Sequence, residues 1–257
     1  MNKLKKKITA VFLAAFVLLG TAGAGGEFAY AASDDYDGES YQTVDIAKLK
    51  QAKVTGLTYA KKNDYYWSQY FSVGFQWDPL DQYYSDATGL EIDDMFVYYL
   101  NGEYEGDTYE GSYEKEDNKV YLTLESDYDD LERGHGYTLT VTPHFYINQE
   151  HIYGEATSLK FATKPYKVGQ PTVKTSKGKA MISWTKKYGS GYQIQVATDS
   201  KFKQDKQSYK TTSYKKTSTT VSNLKSGKTY YVRVRAYKTY GNTAYGSWSK
   251  VTTFVAR

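Results

Sequence analysis

One short pattern is written twice in this chain. Leu131-Glu132-Arg133-Gly134-His135-Gly136-Tyr137 leads into an alternating run, and Leu224-Lys225-Ser226-Gly227-Lys228-Thr229-Tyr230 leads into another. The Leu, the Gly and the Tyr recur at the same spacing, each pair 93 positions apart. An apolar residue, a Gly turn and a Tyr heading an alternating strand is the sequence form of a tyrosine corner, in which the phenol hydroxyl bonds back to the backbone just upstream. The repeat extends further, since Phe161 and Phe254 are also 93 apart and Tyr153-Gly154 precedes Tyr245-Gly246 by 92. A chain of 257 residues has room for two domains of about 100 residues each plus flanks.

Strand signals fill in both copies. In the first, Val54 and Leu57 suit an opening strand, and Phe71, Val73, Phe75 and Trp77 alternate with Ser72, Gly74 and Gln76 as a half-buried strand would. Residues 92–100 and 103–109 flank Asn101-Gly102, a dipeptide suited to a tight hairpin whose central residues need positive φ. Strands are expected at 119–125, from Tyr137 onward, and at 152–163. In the second copy, Ala180, Ile182 and Trp184 point inward, followed by strands at 191–198, 201–212 and 217–221. After the corner, Tyr230, Val232, Val234 and Ala236 face in while Tyr231, Arg233, Arg235 and Tyr237 face out. The core Trp lies 54 positions before its corner in the first copy (Trp77 to Leu131) and 40 in the second (Trp184 to Leu224), so the first carries a longer middle.

On these residues the second half resembles a fibronectin type III domain. Pro171, Trp184, Gly191-Tyr192-Gln193-Ile194, the Leu224, Gly227 and Tyr230 corner, and Ser247-Trp248-Ser249 before the last strand carry the likeness. The first half is similar to the same family in divergent form, through Trp77 and its own corner. The resemblance implies an all-β fold of two tandem antiparallel seven-strand Greek-key β-sandwiches. It also implies a binding or spacer role and no catalytic residues. The family's Arg-Gly-Asp adhesion loop is absent from this sequence.

The flanks are different in kind. A basic cluster at 3–7, an uncharged run of 13 residues from Ile8 to Gly20 and small residues ending in Ala29-Tyr30-Ala31 have the layout of a signal peptide over 1–31. The run is shorter than the roughly 20 residues that span a bilayer. The expected organisation is therefore a signal peptide at 1–31, an acidic flexible lead-in at 32–50, a divergent domain at 51–165 and a second domain at 166–257. No transmembrane segment is expected after signal removal. The sequence contains no Cys, so a secreted chain of this kind must rely on its apolar cores rather than on disulfides.

The formal net charge of +4 conceals a split. Residues 32–165 hold 10 basic and 26 acidic residues, whereas 166–257 hold 19 basic and 2 acidic ones, Asp199 and Asp205. Such asymmetry predicts either a polyanionic partner or contact between the acidic and basic halves. Lys186-Lys187, Lys215-Lys216, Arg233 and Arg235 are the cations expected on turns or outward positions. No base-reading motif accompanies them, so dedicated nucleic-acid recognition is not expected.

Enzyme chemistry finds little support. There is no thiol, no Gly-rich phosphate loop and no nucleophile elbow. His135 reads as solvated loop. His144 and His151 fall on one face of a hairpin turned at Asn148-Gln149, with Tyr146 beside them, but a zinc site needs a third ligand. Asp93-Asp94 and Asp129-Asp130 read as solvated charges near turns, and Asp35-x-Asp37-Gly38 matches a calcium loop only in part. No catalytic, cofactor or metal site is therefore assigned. The 29 tyrosines exceed what two cores need, and exposed aromatics can stack on sugar rings. Tyr65, Tyr66 and Trp67 (with Tyr70 and Tyr83-Tyr84 nearby) form such a cluster, and Tyr231, Arg233, Arg235 and Tyr237 form a second candidate face. The expected function is a secreted or cell-wall-associated, non-enzymatic binding or adhesion module for carbohydrate, an anionic cell-wall polymer or a protein. The alternatives are a structural spacer without a ligand and an accessory module of a secreted carbohydrate-active enzyme.

Overall fold

The corner hydroxyls bond as the pattern requires. In the computed structural model, which describes residues 28–32, 41–60, 65–66, 70–80, 95–108, 114–116, 118–147 and 150–257, the Glu132 N–H donates to the Tyr137 hydroxyl at 2.7 Å and the Lys225 N–H to that of Tyr230 at 3.1 Å. Each Tyr reaches back five residues.

The first half opens with β1 (Phe28–Ala32) paired to β2 (Tyr41–Asp45) and the one-turn helix α1 (Ile46–Lys50). Asp45 caps α1 by accepting from the Lys48 N–H at 3.1 Å. Leu49 is fully buried in the first core, which corrects the expectation of a flexible lead-in for 41–50. Cleavage after Ala31 would remove most of β1. Next come β3 (Thr58–Tyr59), β4 (Tyr65–Tyr66), β5 (Phe71–Trp77), β6 (Met95–Leu100), β7 (Glu103–Thr108), β8 (Glu114–Glu116), β9 (Lys119–Glu125), β10 (Gly136–Ile147), β11 (Glu150–Tyr153) and β12 (Thr157–Ala162). One sheet runs β3-β5-β9-β8 with β4 also on β5, and the other runs β11-β10-β6-β7 with β12 also on β10. Asn101 and Gly102 have φ of 55° and 90° and link paired Leu100 and Glu103, the expected two-residue turn. Ser72 and Gly74 of β5 are buried, where alternation predicts exposure. They are small residues in a strand flanked on both sides, by β3 and β4 on one edge and by β9 on the other.

The second half repeats this order. Strands β13 (Thr172–Ser176), β14 (Lys179–Ser183) and β17 (Ser218–Val221) form one sheet. The other is β16 (Gln207–Thr211), β15 (Gly191–Ala197), β18 (Thr229–Tyr240) and β19 (Asn242–Tyr245), with β20 (Thr252–Val255) also on β18. Residues 201–206 do not extend β16 as expected, because Asp199 holds them in a turn through its bonds to the Lys201, Lys203 and Gln204 N–H groups.

Both 12-residue corner strands carry a final strand broken in two. The break falls at equivalent places: Gly154 donates to the Pro143 carbonyl and Gly246 to that of Ala236. Each Gly lets an incoming segment pass close by, since a side chain at 154 would run into the Ala52 carbonyl and one at 246 into that of Pro165. Two apolar cores result, one holding Trp77 and one holding Trp184 and Tyr192.

Candidate binding surface

The two arginines expected to face outward along β18 are held by side chains from other segments. The Arg233 guanidinium lies 4.1 Å from the Phe202 ring centroid and 4.3 Å from that of Trp248. Arg235 lies 4.4 Å from the Trp248 centroid and 4.0 Å from that of Tyr245. The order Phe202, Arg233, Trp248, Arg235, Tyr245 is thus a continuous ladder of alternating rings and guanidinium planes. Antiparallel pairing explains the anchoring, because Gln195 and Gln193 on β15 sit directly opposite Arg233 and Arg235. Gln195 Oε1 accepts from Arg233 Nε and Nη2 at 2.9 and 2.7 Å, and Gln193 Oε1 accepts from Arg235 Nε at 2.8 Å. Desolvation pulls both guanidinium pKa values down from their usual range, though an arginine stays charged at any physiological pH.

Tyr237 differs from the outward reading. It is 4% exposed, its hydroxyl donates to the Thr211 carbonyl at 2.9 Å, and the Lys210 ammonium covers its ring at 4.2 Å. Alternation placed it on the outer face, but its partner on β15 is Gly191, and a long Lys from β16, one strand further on, closes over it. Tyr231 is half-buried between Ala197 and Thr253. The structure thus brings Arg233 and Arg235 together with Trp248, Tyr245 and Phe202, which sequence reasoning had not assigned to that face. The Ser-Trp-Ser step was the available signal for Trp248.

In the first half, Tyr65 and Tyr66 form β4 against Ser72 and Phe71. Trp67, Tyr83-Tyr84, Asp93-Asp94 and the Asp35-Asp37 segment lie outside the described residues. His144 and His151 do meet, with Nε2 and Nδ1 2.8 Å apart, and Tyr153 stacks on His144 at 4.5 Å and 7°. His144 is buried and His151 exposed. Among the described residues, no group of three or more His, Cys, Asp or Glu side chains is arranged to hold a metal ion.

The two sandwiches are joined by aromatic, neutral polar and cation–π contacts, the last including the Lys160 ammonium 5.6 Å from the Tyr240 ring centroid. The β18–β19 turn reaches β12, where Asn242 Oδ1 accepts from the Ala162 N–H at 2.8 Å. Tyr240 meets the Thr138 hydroxyl at 3.2 Å and lies against Gly136, where an added Cβ would come within 2.6 Å of the ring. Gly241, at φ +70°, passes so near the Lys160 carbonyl that a side chain would collide with it. His135, expected to be solvated, stacks on Tyr188 at 4.1 Å and 13°. Tyr166 lies between Arg133 and Lys187 at 5.3 and 5.8 Å. The described ion pairs, Lys119–Asp78, His135–Glu132 and Lys228–Asp205, each stay within one half.

The two lysine pairs singled out in sequence lie in loops at the junction end of the second sandwich. Lys186 and Lys187 precede β15, and Lys215 and Lys216 precede β17. Tyr192 ties the two loops together, since its hydroxyl accepts from the Lys187 N–H at 2.8 Å and can donate to the Tyr214 carbonyl at 2.9 Å. Among the described residues, no helix is long and apolar enough to cross a membrane.

Comparison with known proteins agrees with this geometry in the second half. Residues 166–254 match the fibronectin type III domain. Similar solved structures include the chicken CNTN1 FN1-FN3 domains, at 15% identity and a TM-score of 0.40, covering 81% of this chain and 68% of that one. A two-domain fibronectin type III segment of chicken tenascin shows 14% identity and a TM-score of 0.39, covering 80% of this chain and all of that one. No protein of curated function matches the chain in sequence.

Proposed function

With residues 166–254 a fibronectin type III domain, and the sandwich before them repeating its strand order, we propose that this chain is a secreted, non-enzymatic binding module of the cell exterior whose second sandwich takes an anionic surface polymer. Fibronectin type III domains are typically non-catalytic modules for adhesion, binding or spacing.

One observation supports the choice of ligand: among the described residues, the cations of the second sandwich form no ion pair with the first. Among the described residues, no cation of 166–257 pairs with a carboxylate of the first half, and the junction is made by rings, hydroxyls, an amide and the first half's Arg133 and Lys160 set against Tyr166 and Tyr240. The field of 19 basic and 2 acidic residues is therefore left to act on solvent, where it attracts polyanions. The test is retention of the chain on isolated bacterial cell walls at low and high salt. Retention that disappears at high salt is expected, since exposed charges are screened beyond about 8 Å at physiological ionic strength. Salt-resistant retention that disappears when Tyr66 and Trp67 become Ala would replace this reading with sugar stacking in the first sandwich.

A second reading, a rigid spacer, is favoured by the junction itself. Gly136, Gly241 and Asn242 are fitted to one mutual placement of the sandwiches. No retention on any surface, with the junction intact, would favour it.

A further inference from the structure

We propose that the pole of the second sandwich farthest from the junction is a binding site for a flexible, phosphate-bearing polyanion. This rests on the polyanion reading above and gives it a place and a chemistry.

Topology gathers four segments there. The turn between β13 and β14, the β15–β16 loop, the β17–β18 loop and the chain end all lie at the end of the sandwich opposite Tyr240. Hydrogen bonds lock them together. The Gly178 N–H donates to the Arg257 carbonyl at 2.8 Å, the Leu224 N–H to the Gly178 carbonyl at 3.1 Å, and the Gly227 N–H to the Ala256 carbonyl at 2.9 Å. Lys228 Nζ reaches Asp205 on the β15–β16 loop at 2.9 Å. This framework carries Lys177, Lys201, Lys203, Lys206, Lys225 and Arg257, all exposed.

The carboxylates nearby are already occupied. Asp199 accepts from the Lys201, Lys203 and Gln204 N–H groups at 2.9, 2.8 and 2.5 Å. Asp205 accepts from Lys228 and from the Thr198 hydroxyl. These are the two acidic residues of 166–257, and both are consumed in building the loops. Among the pole's side chains they form a close ion pair only with Lys228, and the fields of Asp199 and Asp205 also reach Lys203 and Lys225, which leaves two carboxylates against seven cations. None of the six exposed cations is paired among the described residues.

The chemistry of the partner follows from the residue types. Five of the six are lysines, point charges on flexible stems without the planar fork of arginine. Lysine suits phosphate, taken as a point charge, and cations spread over several loops suit a chain whose charges repeat. A folded protein partner would need a cluster of apolar or aromatic anchors, yet Phe202 and Leu224 are 4% and 6% exposed, which leaves Val255 beside the chain end as the lone exposed large apolar residue among the described residues there.

The test uses the full chain and long-chain inorganic polyphosphate as the probe. One variant carries Lys203→Glu, Lys206→Glu and Lys225→Glu. A control of equal charge change carries Lys186→Glu, Lys187→Glu and Lys215→Glu at the junction end. Melting curves establish that both remain folded. The wild type is expected to bind polyphosphate in a salt-sensitive way, the pole variant to weaken by about tenfold or more, and the control by no more than about threefold. Equal weakening in both variants would overturn the proposal, because net charge alone would then explain binding. Wild-type retention on cell walls without binding to polyphosphate would overturn this inference and leave the broader reading standing. Absence of both would overturn the broader reading as well. Capture on phosphatidylglycerol vesicles that polyphosphate cannot compete away would overturn it in favour of a membrane surface.

Discussion

Tyr230 and Tyr137 each bury a ring and place one hydroxyl on a backbone N–H five residues upstream. Removing the hydroxyl alone separates the two contributions. Tyr230→Phe is expected to cost about 1 kcal/mol, the net worth of one such bond, while Tyr230→Ala or Trp184→Ala costs about 3–5 kcal/mol by leaving a cavity. Chemical denaturation checks the ranking, and equal losses for Phe and Ala would remove the ring from the account. Two aspartates respond to pH with opposite signs. Asp199 is held below its usual value near 3.8, chiefly by the backbone N–H of Gln204. Its contribution is present at neutral pH and is lost as pH falls through that lowered value. Loss of protection at the Lys203 and Gln204 amides in acid, measured against the intrinsic exchange rate at the same pH, is the expected signature, and Asp199→Ala is expected to show low protection at every pH. Asp129 is raised, mainly by burial, although its carboxylate accepts from the Glu125 N–H. Its ionised form therefore costs stability as pH rises through the raised value. Asp129→Asn, neutral at every pH, is expected to melt at the same or a higher temperature than wild type at pH 7 and to lose that advantage in acid.

Among the elements, the β18–β19 hairpin has two roles. Its inner residues fill the second core, and its tip at Tyr240, Gly241 and Asn242 holds the first sandwich. Tyr240→Ala with Asn242→Ala is expected to free the two halves, seen as separate rotational correlation times by NMR, while both cores keep their melting temperatures. Unchanged joint tumbling would show that the His135–Tyr188 stack suffices. The ladder on the same hairpin is structural on the present geometry. Trp248→Ala removes the shared ring of two cation–π contacts, each worth about 0.5–2 kcal/mol, and is expected to lower stability by about 2–4 kcal/mol including the lost packing. Polyphosphate binding by the folded fraction is expected to persist in that variant, a result that binding assays below its melting temperature would check.

For the whole molecule, the acidic and basic halves remain chemically distinct despite their contact. A junction of rings and amides keeps its affinity when salt is raised, whereas an acid–base junction would loosen as its charges are screened. Small-angle scattering is accordingly expected to give the same maximum dimension at low and at high salt. Expansion at high salt would point to charge pairs holding the halves together.

The residues themselves determined the sandwich, the doubled corner and the alternating core, because these depend on periodicity and on a spacing of a few residues. Leu131, Gly134 and Tyr137 lie within one turn and strand, so their geometry is local and legible. The Asn101-Gly102 turn was legible for the same reason, since positive φ is a demand on a single residue type. Tertiary structure alone decided which outward residues are free. Arg233 and Arg235 look like an open basic stripe until Tyr245 of β19 and Trp248 and Phe202 of two separate loops are folded against them. Tyr237 looks exposed until Lys210 closes over it. The pole was hidden for the converse reason: its cations lie up to 80 positions apart, from Lys177 to Arg257, and only the antiparallel return of the strands brings their loops to one end. Alternation reports which side of a strand a residue takes. What covers that side, and which loops share an end, depends on contacts between residues far apart in the chain.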